Sequence, residues 1–354
     1  MTQATILDQA RPVRDGESLP IDDIDRWLAR QVPGLMGEPK VTQYSGGASN
    51  WTYCLEYENR PVILRRAPKG TKAKGAHDMA REYHLQKALK PAYPLVPEML
   101  ALCQDRGVLD SDFYVMEKLT GVIPRKNLPK SLGLTPERTQ TLCTNMVDAL
   151  VALHQVDIEA NQLTKLGKGS GYINRQLEGW AKRYQQAKTW NVPSGKKVIA
   201  WLQANKPETE TICLTHNDFR FDNLVLSPDD LSIIGVLDWE LATLGDPLMD
   251  LGNSLAYWVQ ADDDFLAQST RRQPTHLPGM LTRSEVVEYY CQKMGLEHID
   301  FRFYEVFGLF RLAGIAQQIY YRYHHKQTRN PAFKNFWIFV HYLLWRCQRV
   351  MKRN

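Results

Sequence analysis

Three polar side chains in the second half of the chain have the types and the spacing that phosphoryl transfer uses. Asp218 and Asn223 lie five residues apart in the segment HNDFRFDN, and Asp238 follows 15 residues after Asn223. One carboxylate can accept a proton, whereas an asparagine oxygen and a second carboxylate are hard ligands that suit Mg²⁺. Because three such residues between apolar segments have no obvious packing purpose, the pattern indicates a general base and two magnesium ligands.

Short apolar strands must hold these side chains. Residues 212–215 are predicted to form a short apolar segment that leads into a polar loop over residues 216–223. The segment NLVL is predicted to be a strand, and SIIGVLDWE contains the next strand, which runs back beside it. A loop between rigid strands is a common place for catalytic residues. His216 opens this loop as a second candidate catalytic residue, and we expect it to hold Asp218 in place rather than to move protons.

Length and composition narrow the class of protein. The chain has 354 residues, 44% hydrophobic and 23% charged, which suffices for one large domain or two lobes. Its net charge of +5 is too small and dispersed to indicate nucleic-acid binding. The six cysteines include no Cys-x-x-Cys pair, and no segment approaches the ~20 apolar residues of a membrane span or the pattern of an export signal. We therefore expect a cytoplasmic protein with reduced thiols that binds neither nucleic acid nor membrane.

The pattern of secondary structure changes near residue 120. Before it, residues 41–67 favour two or three antiparallel strands, residues 76–90 a helix, and FYVMEKLTG one more strand. After it, long helical patterns dominate, beginning with TPERTQTLCTNMVDALVALHQV, where Thr135 is the predicted N-cap and Pro136 the first helical residue. A small sheet-rich region therefore precedes a large helical one.

Several motifs together resemble one superfamily. HNDFRFDN followed by LDWE is similar to the signature of the aminoglycoside phosphotransferases and choline kinases, whose loop reads His-Gly-Asp-x-x-x-x-Asn. GGASNWTY and GDPLMDLG resemble a metabolic branch related to the kinase domain linked to some acyl-CoA dehydrogenases. The resemblance runs in order from about Tyr44 to Tyr257, and this order is more specific than any single motif.

The resemblance implies an α+β, protein-kinase-like, two-lobed fold. Its small antiparallel-sheet N-lobe, which covers the nucleotide, is expected over residues 19–118. The large and mainly helical C-lobe, with the catalytic loop and the substrate-binding helices, is expected over residues 119–354. Residues 1–18 carry few apolar side chains and are expected to be disordered.

The resemblance also implies roles for individual residues. Asp218 matches the catalytic base, and Asn223 and Asp238 match the two Mg²⁺ ligands. Arg65 occupies the position of the lysine that contacts the α- and β-phosphates of ATP, and Glu82 that of the glutamate that orients it. The other implied nucleotide contacts are the covering loop Ser45, Gly46, Gly47, Ala48, Ser49 and Asn50, the carbonyl of Glu117 and the amide of Leu119.

Two departures from the pattern bear on the phosphate contacts. The covering loop lacks the G-x-G-x-x-G spacing of protein kinases, and arginine stands where the family has lysine. Guanidinium suits bidentate phosphate contacts but differs from lysine in geometry. The choice of Arg65 over Arg66 depends on strand phase, which leaves both residues open.

Other polar residues near these motifs have structural interpretations. Asp246 and Pro247 fit the N-cap and first position of a helix, and Asp250 is expected to bond backbone amides of the catalytic loop. His154 ends an amphipathic helix, where a packed or capping histidine is the usual case.

The C-terminal part of the chain should bind the small molecule that accepts the phosphate. Residues 261–354 contain 14 Lys and Arg against 8 Asp and Glu, and Arg311 and Arg322 lie on one face of an apolar, aromatic helix. This charge favours an anionic acceptor, such as a hydroxyacyl thioester of coenzyme A or a hydroxy acid, over a polycationic aminoglycoside.

Three functions remain open. The first is an ATP- and Mg²⁺-dependent kinase of a small-molecule hydroxyl, with an aminoglycoside or other antibiotic as the alternative acceptor. The second is a nucleotide-binding pseudokinase, suggested by Arg65 but disfavoured because Asp218, Asn223 and Asp238 are all present. The third, a protein kinase, is disfavoured because no D-F-G or A-P-E segment follows LDWE.

Overall fold

A computed structural model of the chain describes residues 10–44, 50–68 and 77–353. In these ranges the strands are β1 (Lys40–Gln43), β2 (Trp51–Glu56), β3 (Pro61–Arg66), β4 (Met99–Cys103), β5 (Phe113–Glu117), β6 (Cys213–Thr215), β7 (Leu224–Leu226), β8 (Ile233–Val236) and β9 (Thr243–Gly245). The helices are α1 (Ile21–Gln31), α2 (Met79–Leu89), α3 (Pro136–His154), α4 (Tyr172–Gln186), α5 (Lys196–Ala204), α6 (Pro247–Ala256), α7 (Phe265–Thr270), α8 (Arg283–Met294), α9 (Arg302–His324) and α10 (Phe336–Val350).

The chain divides into two compact units that differ from the predicted lobes in their boundaries. The first unit comprises Met1–Pro124, Glu159–Leu163 and Asn223–Glu240. The second comprises Arg125–Ile158, Thr164–Asp222 and Leu241–Asn354. The first unit thus extends beyond residue 118 and includes the later β7–β8 hairpin, which carries Asn223 and Asp238 at its ends.

An antiparallel sheet with the order β1-β2-β3-β5-β4 forms the body of the first unit. Alternation along β3 sends Val62 and Leu64 into a core with α1, and Ile63 into a second core with α2. The same alternation places Arg65 on the α2 face of the sheet and Arg66 on the α1 face. The helix α2 is capped by Asp78, whose side chain accepts the amide of Arg81.

Residues 10–18 do not follow the prediction of a disordered N-terminus. Arg11 and Gln43 exchange two backbone hydrogen bonds of 2.8 Å, so this segment pairs with the edge of β1. The Gln43 side chain accepts the amide of Arg14 at 3.0 Å and donates to Glu17 at 2.6 Å. These hydrogen bonds anchor a segment with few apolar side chains, which a prediction from composition alone cannot detect.

The second unit is mainly helical, with the two-stranded sheet β6-β9. The predicted N-cap of α3 is confirmed, because the Thr135 side chain accepts the amide of Arg138 and Pro136 is the first helical residue. No helix in the described ranges is both long and apolar enough to cross a bilayer. All six cysteines are free thiols, as their spacing predicts.

The helices α6 and α9 cross in direct backbone contact. A Cβ atom at Gly308 would lie 2.1 Å from the carbonyl oxygen of Gly252, and one at Gly252 would lie 2.4 Å from the carbonyl oxygen of Tyr304. Only glycine permits so close an approach of two backbones. The crossing holds α6, which carries Asp250, firmly against α9, which carries Arg311.

Candidate active site

The predicted catalytic loop begins where β6 ends, and one buried carboxylate holds its backbone. Asp250 accepts the amide of His216 at 2.7 Å and the amide of Asn217 at 2.8 Å. The helix α6 that presents Asp250 is capped by Asp246, whose side chain accepts the amides of Leu248 and Met249, each at 3.0 Å. Both predicted structural roles, that of Asp246 and that of Asp250, are therefore confirmed.

Two further side chains support Asp250 from behind. His154 Nε2 lies 3.1 Å from Asp250 Oδ2, and His154 Nδ1 lies 2.6 Å from the Tyr290 hydroxyl. Burial alone would raise the pKa of Asp250, but the hydrogen bond from His154 and the amide of His216 hold that pKa below its usual value. The carboxylate is therefore ionised at neutral pH, although its side chain is completely buried.

Asn217 sits in the left-handed region of backbone space, with φ +64°. Its side-chain oxygen accepts the Tyr172 hydroxyl at 2.9 Å, and its side-chain nitrogen donates to Thr215 Oγ1 at 3.0 Å. Non-glycine residues rarely adopt this conformation unless their surroundings impose it, and such residues are common at functional sites. The turn at Asn217 is therefore held on both sides immediately before Asp218.

The predicted base, Asp218, is partly exposed, with 16% of its side chain accessible. Its amide donates to His216 Nδ1 at 3.2 Å, and the His216 ring is fully buried with its edge against Phe219. These contacts are those that the predicted positioning role of His216 requires. Arg220 lies 3.0 Å from Asp218 and 3.4 Å from Asp222, so one guanidinium offsets two carboxylate charges.

The predicted magnesium ligands lie in the first unit, on the two strands of the β7–β8 hairpin at its open end. Leu224 pairs with Val236, and the amide of Leu237 donates to the carbonyl of Asn223 at 2.8 Å. Asp238 follows directly in a left-handed conformation, with φ +68°. The hairpin therefore brings an amide oxygen and a carboxylate to one end, a donor set whose hard oxygens fit Mg²⁺.

Arg65 links the hairpin to α2. Its guanidinium forms an ion pair with Asp238 and lies 3.8 Å from the Glu82 carboxylate, which also accepts the Tyr114 hydroxyl at 3.0 Å. Arg66, on the opposite face of β3, instead pairs with Asp110 at 2.5 Å. Of the two arginines, Arg65 is thus the one on the face of Glu82, and its contact with phosphates stays a prediction.

The remaining predicted nucleotide residues are in varied surroundings. Asn50 is buried and donates to Glu82 at 3.3 Å and to Glu240 at 3.0 Å. The Glu117 side chain accepts the amide of Glu98 at 2.7 Å, and Leu119 packs over Gly235, where a Cβ atom would lie 2.1 Å from Leu119 Cδ1. Five predicted positions lie outside the described residues: Ser45, Gly46, Gly47, Ala48 and Ser49.

Several residues of these networks escaped the reasoning from sequence. Glu240 and Arg220 belong to the quoted motifs LDWE and HNDFRFDN, so their places in the motifs were a usable signal. Tyr114 pairs with Arg65 across β3 and β5, which only the sheet register reveals.

The two arginines expected to share a ligand on α9 differ in environment. Arg311 is 5% exposed and donates to the carbonyl of Asn217 at 2.9 Å. Arg322 lies in the last turn of α9 and is exposed. Only Arg311 therefore touches the catalytic loop.

Comparison with known proteins identifies the family of the chain. Residues 40–283 match the model of the phosphotransferase enzyme family. The chain belongs to this family. Mouse acyl-CoA dehydrogenase family member 10 is 37% identical to this phosphotransferase over 319 residues, which cover 88% of the chain and 29% of the relative. The phosphotransferase chain thus spans less than a third of that relative's length.

Solved structures confirm the predicted kinase-like α+β fold. A Ralstonia eutropha JMP134 protein, provisionally classed as an aminoglycoside phosphotransferase, is 28% identical with a TM-score of 0.81, covering 95% of this chain and 99% of that one. A thermostable variant of an aminoglycoside phosphotransferase bound to AMP-PNP and hygromycin B is 14% identical with a TM-score of 0.57, covering 93% and 98%. At that lower identity the likeness concerns the fold alone.

Proposed function

We propose that this phosphotransferase is a cytoplasmic, ATP-dependent kinase that transfers the γ-phosphate to a hydroxyl of a small molecule. The observation that carries the proposal is the fixed catalytic loop. A buried carboxylate, Asp250, accepts two consecutive loop amides and so holds the backbone directly before Asp218. Such preorganisation suits a positioned general base, because a base must lie within hydrogen-bond reach of the hydroxyl proton that it accepts.

In this proposal Asp218 accepts the proton of the acceptor hydroxyl as the oxygen attacks the γ-phosphate. The bond between the γ-phosphorus and the oxygen that bridges it to the β-phosphate breaks, and ADP leaves. His216 keeps Asp218 in place through the hydrogen bond to its amide. Asn223 and Asp238 would hold Mg²⁺, which when bound neutralises charge on the phosphates. The presence of all three residues with the bonded loop favours an active enzyme over a pseudokinase.

The nucleotide contacts are proposed for the first unit. Arg65 would contact the phosphates and Glu82 would orient it, which is supported by their proximity at 3.8 Å. The loop from Ser45 to Asn50 would cover the phosphates, with the Glu117 carbonyl and the Leu119 amide at the adenine edge. The AMP-PNP complex of the structurally similar phosphotransferase supports ATP as the donor.

For the acceptor we favour an anionic hydroxyacyl-CoA or hydroxy acid. Residues 261–354 carry 14 basic and 8 acidic side chains, a balance that disfavours a polycationic aminoglycoside. The similarity to an acyl-CoA dehydrogenase family member, of which the chain spans 29%, points to the same substrate class.

A competition assay tests the function. Hydroxyacyl-CoA, a free hydroxy acid and kanamycin are offered with ATP and Mg²⁺, and phosphate transfer is followed for the wild-type protein and for Asp218→Asn. We expect Asp218-dependent transfer to the anionic compounds. Transfer to kanamycin alone would support the antibiotic alternative, and Mg²⁺-dependent ATP binding without transfer to any acceptor would indicate a pseudokinase.

A further inference from the structure

Two arginines of the second unit lie against one tryptophan. The guanidinium carbon of Arg183 is 4.0 Å from the centroid of the Trp180 ring, and that of Arg311 is 5.4 Å from it. Trp180 and Arg183 are three residues apart on α4, so they project from the same side of the helix. A Cβ atom at Gly314 would lie 3.0 Å from Trp180 Cε3, so the glycine on α9 makes room for the indole. Helix packing thus builds the cluster Trp180, Arg183 and Arg311.

The cluster carries two positive charges, and neither is paired with a carboxylate of the described residues. Neither Arg183 nor Arg311 forms an ion pair with a residue of the described ranges, and Arg183 Nε is a buried donor without a hydrogen-bond acceptor there. Arg311 is buried, and its one hydrogen bond within the described ranges goes to the carbonyl of Asn217. Burial lowers the pKa of Arg183, and the nearby charge of Arg311 lowers it further.

Other partly buried arginines of the same unit do have counter-ions. Arg220 pairs with Asp218, and Arg283 forms a two-armed pair with Asp263 at 2.6 and 2.8 Å. Two guanidinium charges that contact one partly buried ring, with no carboxylate paired to either, favour the binding of an anion there. Trp180 and Arg183 are only half-buried, so a ligand can reach them.

We infer that Arg183 and Arg311, with Trp180 as their platform, bind the anionic group of the acceptor, a carboxylate or a phosphate. This inference rests on the proposed function and adds to it a specific acceptor subsite. Guanidinium binds either anion through two parallel N–H donors. Because Arg311 also holds the carbonyl that precedes Asp218, an anion bound here keeps the acceptor beside the catalytic loop. The second arginine that binds the anion with Arg311 is thus Arg183, whereas the sequence had indicated Arg322.

Direct binding to the full-length protein tests the subsite without requiring turnover. The probes for calorimetric titration are 3-hydroxyoctanoate for the carboxylate, coenzyme A for the phosphates, and octane-1,3-diol as the neutral match of the hydroxy acid. The variants are Arg183→Gln and Arg311→Gln. The matched control is Arg349→Gln, which removes an exposed arginine stacked at 5.2 Å on Trp345 of α10.

We expect at least one anionic probe to bind the wild-type protein and the diol to bind more weakly. The Kd of that probe should rise roughly tenfold or more in Arg183→Gln, the effect of losing a charge-assisted hydrogen bond, and stay unchanged in Arg349→Gln. The probe whose Kd rises in the variant shows whether the subsite binds a carboxylate or a phosphate. Arg183→Gln is the decisive variant because Arg183, unlike Arg311, does not touch the loop; its melting temperature confirms folding.

Three results would overturn the inference: binding of neither anionic probe, equal binding of the diol, or an unchanged Kd in Arg183→Gln. Failure of the subsite and failure of the proposed function remain distinguishable. Phosphate transfer with equal efficiency to the diol and to the hydroxy acid would leave the kinase and remove the subsite. Arg183-dependent anion binding without phosphate transfer to any acceptor would leave the subsite and remove the kinase.

Discussion

The two sets of predicted catalytic residues are held by different forces. In the second unit, the loop before Asp218 is fixed through its backbone, by hydrogen bonds to the buried Asp250 carboxylate. In the first unit, Asp238 is held by an ion pair with Arg65. Backbone hydrogen bonds to a buried carboxylate fix geometry closely, whereas an ion pair of two side chains can exchange one partner for another. We therefore expect the loop before Asp218 to be the more rigid of the two, and the ion pair between Arg65 and Asp238 to open when Mg²⁺ and ATP bind.

The largest expected effect comes from the first unit, where Asp238 is paired with Arg65. Asp238→Ala removes a proposed Mg²⁺ ligand, and we expect Mg²⁺-dependent ATP binding and phosphate transfer both to be abolished. Titration of ATP with and without Mg²⁺ measures the effect. Unaltered ATP affinity in the presence of Mg²⁺ would show that Asp238 is not a ligand.

In the second unit, loss of Asp250 should lower stability and activity together. Asp250→Ala leaves the amides of His216 and Asn217 unpaired, at about 1–3 kcal/mol each, so we expect a lower melting temperature together with lost turnover. The matched control is Asp246→Ala on the same helix, which removes an N-cap at a cost of about 1 kcal/mol. Asp246→Ala should retain turnover when folded. Normal stability and full activity in Asp250→Ala would refute this account of the loop.

The pH dependence of stability follows from the lowered pKa of Asp250. A carboxyl whose pKa is depressed by folding stabilises the protein above its unfolded pKa of about 3.9, and this contribution is lost as the pH falls through the folded value. We therefore expect the stability difference between wild type and Asp250→Asn to stay constant from about pH 7 to pH 5 and to shrink below about pH 4. Urea unfolding at each pH measures the difference, and a decline between pH 7 and pH 5 would contradict the lowered pKa.

The smallest effect distinguishes the two faces of β3. Arg65→Lys keeps the charge but loses the planar, two-armed geometry, so we expect a few-fold rise in KM for ATP. Arg66→Lys should leave that KM unchanged, because Arg66 lies on the other face and pairs with Asp110. Steady-state kinetics with varied ATP compares the two variants. The reverse order of effects would place Arg66 at the nucleotide.

Features encoded within a few residues were predictable from the sequence. The caps Thr135 and Asp246 and the loop from His216 to Asn223 follow from local patterns. The strand β4 (Met99–Cys103) was not predicted. Its side chains alternate in burial, but the segment is short and almost wholly apolar, so the sequence shows no alternation of polar and apolar residues. The contact between His154 and Tyr290 joins residues 136 apart, and such tertiary contacts leave no local signal.

The same limit applies to the arginines. The sequence indicated a basic, aromatic helix that carries Arg311. Its neighbours Trp180 and Arg183 come from α4, more than a hundred positions earlier, and only the packing of α4 against α9 brings them together. Arg65 shows the opposite case, because strand alternation alone sets it apart from Arg66 once the phase of β3 is known.

Single-turnover phosphate transfer by Asp218→Asn tests the central claim most directly. Asparagine preserves the shape of the side chain but cannot accept the proton of the acceptor hydroxyl. We predict that the rate falls by a factor on the order of 10²–10⁴ while the Kd for Mg²⁺ and ATP changes little. A transfer rate equal to that of the wild-type protein would contradict the assignment of Asp218 as the general base.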